Sequence, residues 1–125
     1  MKQSRTLESL INGGWKDQIF VPFREGIDIC WLHNSSPQLA LLRYQAGARV
    51  PRHRHTGLEI VQMLDGEQSD ERGTYRSGDV ALNPIGTEHS VWSDTGCVAL
   101  LMWESPVQFV ELSPDRSPVP GYYAR

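Results

Sequence analysis

The feature that most constrains the fold is a succession of short apolar runs, each closed by turn-forming residues. The turns contain pairs such as Asp65-Gly66 and Asn83-Pro84. The runs are Ile19–Phe23, Ile27–Leu32, Leu39–Tyr44, Leu58–Leu64, Val80–Leu82, Ser90–Trp92, Cys97–Trp103 and Val107–Leu112. Helical periodicity is confined to the first dozen residues, where the spacing of Leu7, Leu10 and Ile11 fits one or two helical turns. Short strands at this spacing predict an all-β sandwich or barrel.

The length of 125 residues and a hydrophobic content of 39% fit one packed domain. We expect an N-terminal extension over 1–16, a barrel over 17–112 and a C-terminal tail over 113–125. The tail contains Pro114, Pro118 and Pro120, and it is therefore too rich in proline for a central strand.

Two of the runs, Leu39–Leu42 and Val98–Met102, are apolar at consecutive positions and so on both faces of the pleat. Such runs are typical of a central strand in a sandwich, or of a strand whose outer face meets a second subunit. Because exposing both faces would favour aggregation, they predict a homodimer.

Charge and cysteine content narrow the functional classes. A net charge of -3 without a basic stripe argues against nucleic-acid binding. The cluster Arg49, Arg52 and Arg54 fits either solubility or the attraction of anionic substrates. The N-terminus lacks an apolar signal segment and no run is long enough to span a bilayer, which predicts a cytoplasmic protein without membrane contact. Cys30 and Cys97 are expected as buried, reduced thiols.

Four side chains have the chemistry and spacing of a metal site. His53 and His55 are separated by one residue and so point to one side of an extended strand, and Glu59 follows four positions later. His89 comes after the turn Asn83-Pro84-Ile85-Gly86, which would reverse the chain and deliver it to the start of the next strand. Imidazole and carboxylate ligands suit Fe(II) and Zn(II), with Ni and Mn as further possibilities. His33, in contrast, is expected to be a solvated loop residue.

The spacing of these residues resembles that of the cupin family. The fixed positions of the first cupin motif are met by Gly47, His53, His55, Glu59 and Gly66, and those of the second by Gly78, Pro84, Gly86 and His89. Ser93 replaces the asparagine that closes the second motif; this asparagine is not a ligand in the family. The resemblance implies a small jelly-roll β-barrel, the double-stranded β-helix, with one divalent metal ion per chain.

A narrower resemblance joins the chain to the cupin domain of ChrR-type anti-sigma factors. It rests on residues 51–59, on Ser69-Asp70-Glu71-Arg72-Gly73 with Tyr75, and on Trp92, Ser93 and Cys97. That group implies zinc binding, and it is similar to small non-haem iron dioxygenases that cleave β-diketones. The segment before the barrel is too short for a sigma-binding domain, so we do not expect anti-sigma activity.

Two functions from different classes follow. The first is a metal-dependent enzyme of the dioxygenase type, acting on a small chelating carbonyl or enol compound, with Glu59 as ligand or general base. The second is a zinc-binding sensor or regulatory module; a metal that only stabilises the barrel and a sugar-type isomerase are weaker alternatives.

Strand alternation also suggests which side chains surround a substrate. Alternation from Glu59 places Val61 and Met63 on the ligand side of their strand. Of Arg43 and Tyr44 only one can point inward, and alternation leaves the choice open. We take Arg43 as the candidate for the substrate pocket. Trp31, Trp92 and Trp103 fit either ordinary packing or an apolar wall around the substrate.

Overall fold

The computed structural model describes residues 3–110 and the backbone of residues 123–124. It confirms the all-β prediction. Two short 3₁₀ turns precede the barrel, at Leu10–Asn12 and Gly14–Asp17. The strands are β1 Val21–Arg24, β2 Ile27–His33, β3 Gln38–Tyr44, β4 Ala48–Arg54, β5 Glu59–Asp70, β6 Gly73–Arg76, β7 Val80–Asn83, β8 Glu88–Ser93, β9 Cys97–Trp103, β10 Val107–Phe109 and β11 Tyr123–Ala124.

All strand pairs are antiparallel, and together they form one sheet in the order β1-β2-β3-β9-β5-β8-β4-β10-β11. The long strand β5 joins the two halves. Its first half lies between β7 and β9, and its second half pairs with β6 and touches β8. The sheet therefore curls on itself, as expected for the small jelly-roll barrel.

The curl of β5 depends on a glycine. Gly66 has a φ of 70°, in the left-handed region, and lies just after the register shift between Met63 and Asp65 in the pairing with β9. A Cβ at this position would overlap the carbonyl oxygen of Gly96. Only glycine combines this backbone angle with so close an approach.

The interior core lies between the two halves of the sheet and contains Ile27, Ile29, Ala40, Leu42, Tyr44, Ala48, Val61, Met63, Val91, Cys97, Ala99, Leu101, Trp103, Val107 and Phe109. Inward residues of β3, β5 and β9 face each other in register, as in the row Val61, Leu101 and Ala40. This alternation keeps the interior apolar between β3, β5 and β9. The histidines come from β4, from the residue after it and from β8.

A second cluster accounts for the outward apolar residues of β3 and β9. Leu41 and Val98 are buried there against Leu10 of the first 3₁₀ turn, and Leu7 and Trp15 pack on the same cluster. The N-terminal segment therefore covers much of the face that we had expected a second subunit to cover. The dimer stays a prediction, and these two runs no longer require it.

The eight apolar runs correspond to β1–β3, β5 and β7–β10, whereas β4, β6 and β11 lie outside them, although the segment of His53 and His55 was expected to be extended. The expected tail over 113–125 lies outside the described residues except for the backbone of β11. Cys30 and Cys97 are buried, free thiols. In the described part of the chain, no helix is long and apolar enough to cross a membrane.

Candidate metal centre

Three imidazoles converge inside the barrel from two neighbouring strands. His53 lies near the end of β4 and is paired in register with His89 on β8, while His55 follows directly after β4. The ring centroids are 4.7–5.1 Å apart, and the candidate ligand atoms all lie within 4.8 Å of one another. All three side chains are buried.

The turn before β8 fixes His55. The backbone N–H of His55 donates to the carbonyl of Thr87 (2.9 Å), and the N–H of Gly86 donates to the carbonyl of His55 (2.8 Å). The Thr87 hydroxyl donates to the carbonyl of Pro84, so its lone pairs are free to accept from His55 Nδ1 at 3.0 Å. His55 is thus held through both its backbone and its ring.

Each ring carries its proton on Nδ1, because each Nδ1 faces an acceptor. His53 Nδ1 lies 2.9 Å from the carbonyl of Pro51, and His89 Nδ1 lies 2.9 Å from Asp70 Oδ2. The Nε2 lone pairs of the three rings therefore remain free. Nε2 of His55 and of His89 are buried and, among the described residues, have no hydrogen-bond partner.

Glu59 lies beside this cluster, at the start of β5. One oxygen accepts from Asn83 Nδ2 (3.0 Å) and the other from Trp103 Nε1. Asn83 and Trp103 are the register partners of Glu59 on the two flanking strands, so their side chains point to the same face. Glu59 Oε1 is 3.3 Å from His55 Nε2, although no hydrogen bond joins them.

The protonation states of His53 and Glu59 favour the binding of a cation. Burial lowers the pKa of His53 to about 4, so this imidazole is neutral at physiological pH. Burial alone would raise the pKa of Glu59, but the nearby imidazoles of His55, His53 and His89 hold it below its ordinary value. The centre thus presents the neutral imidazole of His53 beside a buried carboxylate.

This donor set fits a divalent metal ion. Nε2 of His55 and of His89 are buried without a partner, and that of His55 lies 3.3 Å from a carboxylate oxygen, which is costly unless a cation or proton lies between them. Ligands that share one ion at about 2.0–2.2 Å are themselves about 3–3.5 Å apart, and the measured 3.3 Å from His55 Nε2 to Glu59 Oε1 falls in this range. His53, His55, His89 and Glu59 could therefore hold one ion.

Asp70 was not predicted as a site residue. It is buried, accepts from His89 Nδ1, and is also held by the Arg72 backbone N–H (2.8 Å) and the Tyr75 hydroxyl (3.0 Å). Burial would raise the pKa of Asp70, but these donors and the Arg72 guanidinium hold it below its ordinary value. The ionised carboxylate orients the His89 ring and makes its Nε2 a stronger donor to a metal.

Arg72 extends this support to Glu59. Its Nη2 donates to Asp70 Oδ2 (3.2 Å) and to Asn83 Oδ1 (3.1 Å), and Asn83 in turn donates to Glu59. One surface guanidinium therefore links the residues behind His89 with those behind Glu59.

A cavity of about 40 Å³ adjoins the centre. It is lined by Phe23, Arg24, Ile27, Leu42, Tyr44, Val50, His53, Glu59, Val61, Gln68, His89, Val91, Leu101, Trp103 and Val107. Its walls are mainly apolar, with three of the four candidate ligands at its surface. The space suits a few water molecules.

The predicted pocket residues are only partly brought together. Val61 lines the cavity, whereas Met63 is buried in the interior core and is not among the lining residues. The choice of Arg43 was wrong. It lies on the outer face, where its guanidinium stacks on Phe20 and pairs with Asp28 at 3.0 Å. Its neighbour Tyr44 faces the cavity.

Trp103 also has a defined place, because it lines the cavity and donates to Glu59. His33 is exposed, as expected, but it is the last residue of β2 and not a loop residue, and its ring lies 3.0 Å from the Ser35 hydroxyl. Ser93 is fully buried, and its hydroxyl donates to the carbonyl of Glu67 (2.6 Å), so it stabilises the barrel away from the centre.

Comparison with known proteins agrees with this architecture. Residues 13–108 match the family model of the ChrR cupin-like domain. The anti-sigma-E factor ChrR of Cereibacter sphaeroides is 32% identical over 76 residues, which make up 59% of this chain and 36% of ChrR. The matched region thus spans about a third of the length of that relative.

Two solved structures illustrate the likeness. The structure of Rhodobacter sphaeroides SigE in complex with the anti-sigma ChrR matches with a TM-score of 0.65 at 25% identity, covering 70% of this chain and 50% of the other. An acetylacetone dioxygenase from Acinetobacter johnsonii matches with a TM-score of 0.74 at 16% identity, covering 99% and 86%. The second match shows the fold alone.

Proposed function

The chain belongs to the ChrR cupin-like domain family, and we propose that it is a metal-dependent enzyme of the dioxygenase type. One divalent ion would be held by His53, His55 and His89, with Glu59 as the fourth ligand. The substrate would be a small compound with chelating carbonyl or enol oxygens. The single observation that carries the proposal is the convergence of free Nε2 lone pairs at a cavity wall.

The ion would supply a Lewis-acid template for the oxygens of the substrate and, as Fe(II), a site for dioxygen chemistry. The residues of the chain would orient the ligands and exclude water. Asp70, Thr87 and the Pro51 carbonyl hold the rings in the tautomer that leaves Nε2 free. The apolar walls, including Val61 and Leu101, exclude water from the reacting oxygens.

Glu59 has two proposed roles. As a ligand it adds negative charge that offsets the charge of the ion. As a general base it would take a proton from the acidic carbon or hydroxyl of the substrate, since its carboxylate lines the same cavity. The bonds from Asn83 and Trp103 keep it oriented in either role.

Oxygen uptake tests the proposal. Protein purified without oxygen and loaded with Fe(II) is expected to consume dioxygen when supplied with β-diketones or hydroxyketones, in proportion to its iron content. The same preparation loaded with Zn(II) is the matched control and should consume none. An absence of uptake with every diketone by protein that contains one iron per chain would contradict the enzyme proposal.

The alternative is a zinc-binding sensor or regulatory module. The 32% identity to an anti-sigma factor favours it, as does the closed hydrogen-bond network around Glu59. It predicts that zinc is retained through purification against a chelator and that no diketone is turned over with any metal.

A further inference from the structure

Two buried polar side chains line the cavity without a partner. Tyr44 is 5% exposed and Gln68 is 6% exposed. Within residues 3–110 no hydrogen bond to either side chain is found, although other buried polar side chains such as Asn83 and Ser93 are bonded. Among the described residues, the buried polar atoms without a partner are Nε2 of His55 and of His89, so the unbonded polar atoms of Tyr44 and Gln68 are accessible from the cavity. Their placement at the cavity wall indicates that their partner is something inside the cavity.

A cation faces the same space. Arg24 at the end of β1 lines the cavity, and its guanidinium lies 4.4 Å from the ring centroid of Phe109. It forms no ion pair with a residue in the described part of the chain, unlike Arg43, Arg54 and Arg72. Stacking on an aromatic ring positions a guanidinium and leaves its N–H donors free for a ligand.

The polar groups of this wall are mainly donors. Arg24 only donates, the Gln68 amide nitrogen has two N–H groups, and the Tyr44 hydroxyl has one. Burial raises the pKa of Tyr44 far above its ordinary value, so its proton is retained. The other charged group in the cavity, Glu59, already has its oxygens bonded to Asn83 and Trp103. An acceptor-rich anionic group complements this set.

We propose that Arg24, Tyr44 and Gln68 bind a carboxylate of the ligand whose carbonyl or enol oxygens chelate the metal. This inference rests on the proposed function, because the ligand that chelates the metal at one end would bind these three residues through the carboxylate at its other end. The substrate class becomes small oxo acids that carry a chelating dicarbonyl and a separate carboxylate. The apolar wall between the two polar ends contacts the carbon chain.

A matched pair of probes tests this assignment. Acetylacetone and 4,6-dioxoheptanoate share the enol chelate, and only the second carries a carboxylate, which two methylene groups separate from the chelate. Binding is measured by titration calorimetry on Zn(II)-loaded protein, in which turnover is not expected. We expect 4,6-dioxoheptanoate to bind at least about tenfold more tightly than acetylacetone, since hydrogen bonds to a charged group are among the stronger ones.

Substitutions of similar size show which side chains cause the tighter binding of the probe that carries a carboxylate. Gln68→Leu and Tyr44→Phe should each reduce the ratio of the two dissociation constants by about tenfold. Gln62→Leu, on the outward side of the same strand, should keep the wild-type ratio. Metal content and melting temperature verify that each variant is folded.

The outcomes separate the two proposals. Equal affinity for both probes in the wild type, or a preference that survives in both Gln68→Leu and Tyr44→Phe, would overturn the carboxylate assignment and leave the metal enzyme standing. Failure of the metal-loaded wild type to bind either probe would instead remove the dicarbonyl substrate class, and the carboxylate assignment with it.

Discussion

Replacing His55 with alanine is expected to leave the protein almost free of bound metal. His55 is held by the turn before β8, and its buried Nε2 has no hydrogen-bond partner in the described chain. Loss of this nitrogen leaves two imidazoles and one carboxylate, which bind an ion more weakly than the full set, so dialysis against a chelator is expected to remove it. Elemental analysis should give about one metal ion per wild-type chain and close to none in His55→Ala.

The same variant should lose the stabilisation that comes from metal. A ligand present at a hundred times its dissociation constant stabilises the folded state by about 2.7 kcal/mol, which is roughly 10 °C in melting temperature for a domain of this size. Added metal should raise the melting temperature of the wild type by this amount and leave that of His55→Ala unchanged. His33→Ala is the matched control, because His33 is exposed and remote from the cluster.

Unaltered metal content in His55→Ala would contradict the ligand assignment. An equal loss of metal in His33→Ala would contradict it as well, since His33 would then belong to the site.

Replacing Asp70 with asparagine is expected to weaken metal binding by about 10- to 100-fold while the barrel stays folded. The variant keeps the shape of the side chain and removes the charge that faces His89 Nδ1 at 2.9 Å. Without that charge the His89 ring is a poorer donor and its orientation is less fixed. The dissociation constant for Zn(II), measured by competition with a chromophoric chelator, is the direct readout.

Glu71→Gln provides the control for this experiment. Its carboxylate is adjacent in sequence but accepts from the backbone N–H of Ser90 at 3.0 and 3.2 Å, and among the described residues it makes no hydrogen bond to an imidazole. It should bind Zn(II) as the wild type does. If Asp70→Asn and Glu71→Gln have the same affinity as the wild type, Asp70 does not support the metal centre.

The convergence of the three histidines could be predicted from the sequence because each motif fixes its own histidines by local spacing. His53 and His55 share one side of an extended segment, and the Asn83–Gly86 turn precedes His89 by a fixed number of residues. The structure brings the three histidines together as expected, with Glu59 beside them.

The residues behind the ligands could not be predicted because they depend on register. Asn83 and Trp103 reach Glu59 since β7 and β9 flank β5 in that alignment. Asp70 reaches His89 only because the second half of β5 curls next to β8. One sequence signal pointed to Asp70. It belongs, with Arg72 and Tyr75, to the segment that resembles the ChrR-type cupin domain, but the sequence assigned these three residues no role.

Strand parity explains the error at Arg43. The rows Val61–Leu101–Ala40 and Met63–Ala99–Leu42 place even-numbered residues of β3 inside, so Tyr44 points inward and Arg43 outward. That parity follows from the pairing of β3 with β9, which the sequence of β3 alone does not contain. The outward apolar residues were equally ambiguous, because a covering N-terminal segment and a second subunit bury the same surface.

The location of the metal in a crystal tests the central claim most directly. Anomalous diffraction at the absorption edge of the bound metal is predicted to show one peak per chain, at about 2.0–2.1 Å from Nε2 of His53, His55 and His89. A peak elsewhere in the molecule, or metal-saturated crystals without a peak between these rings, would contradict the account.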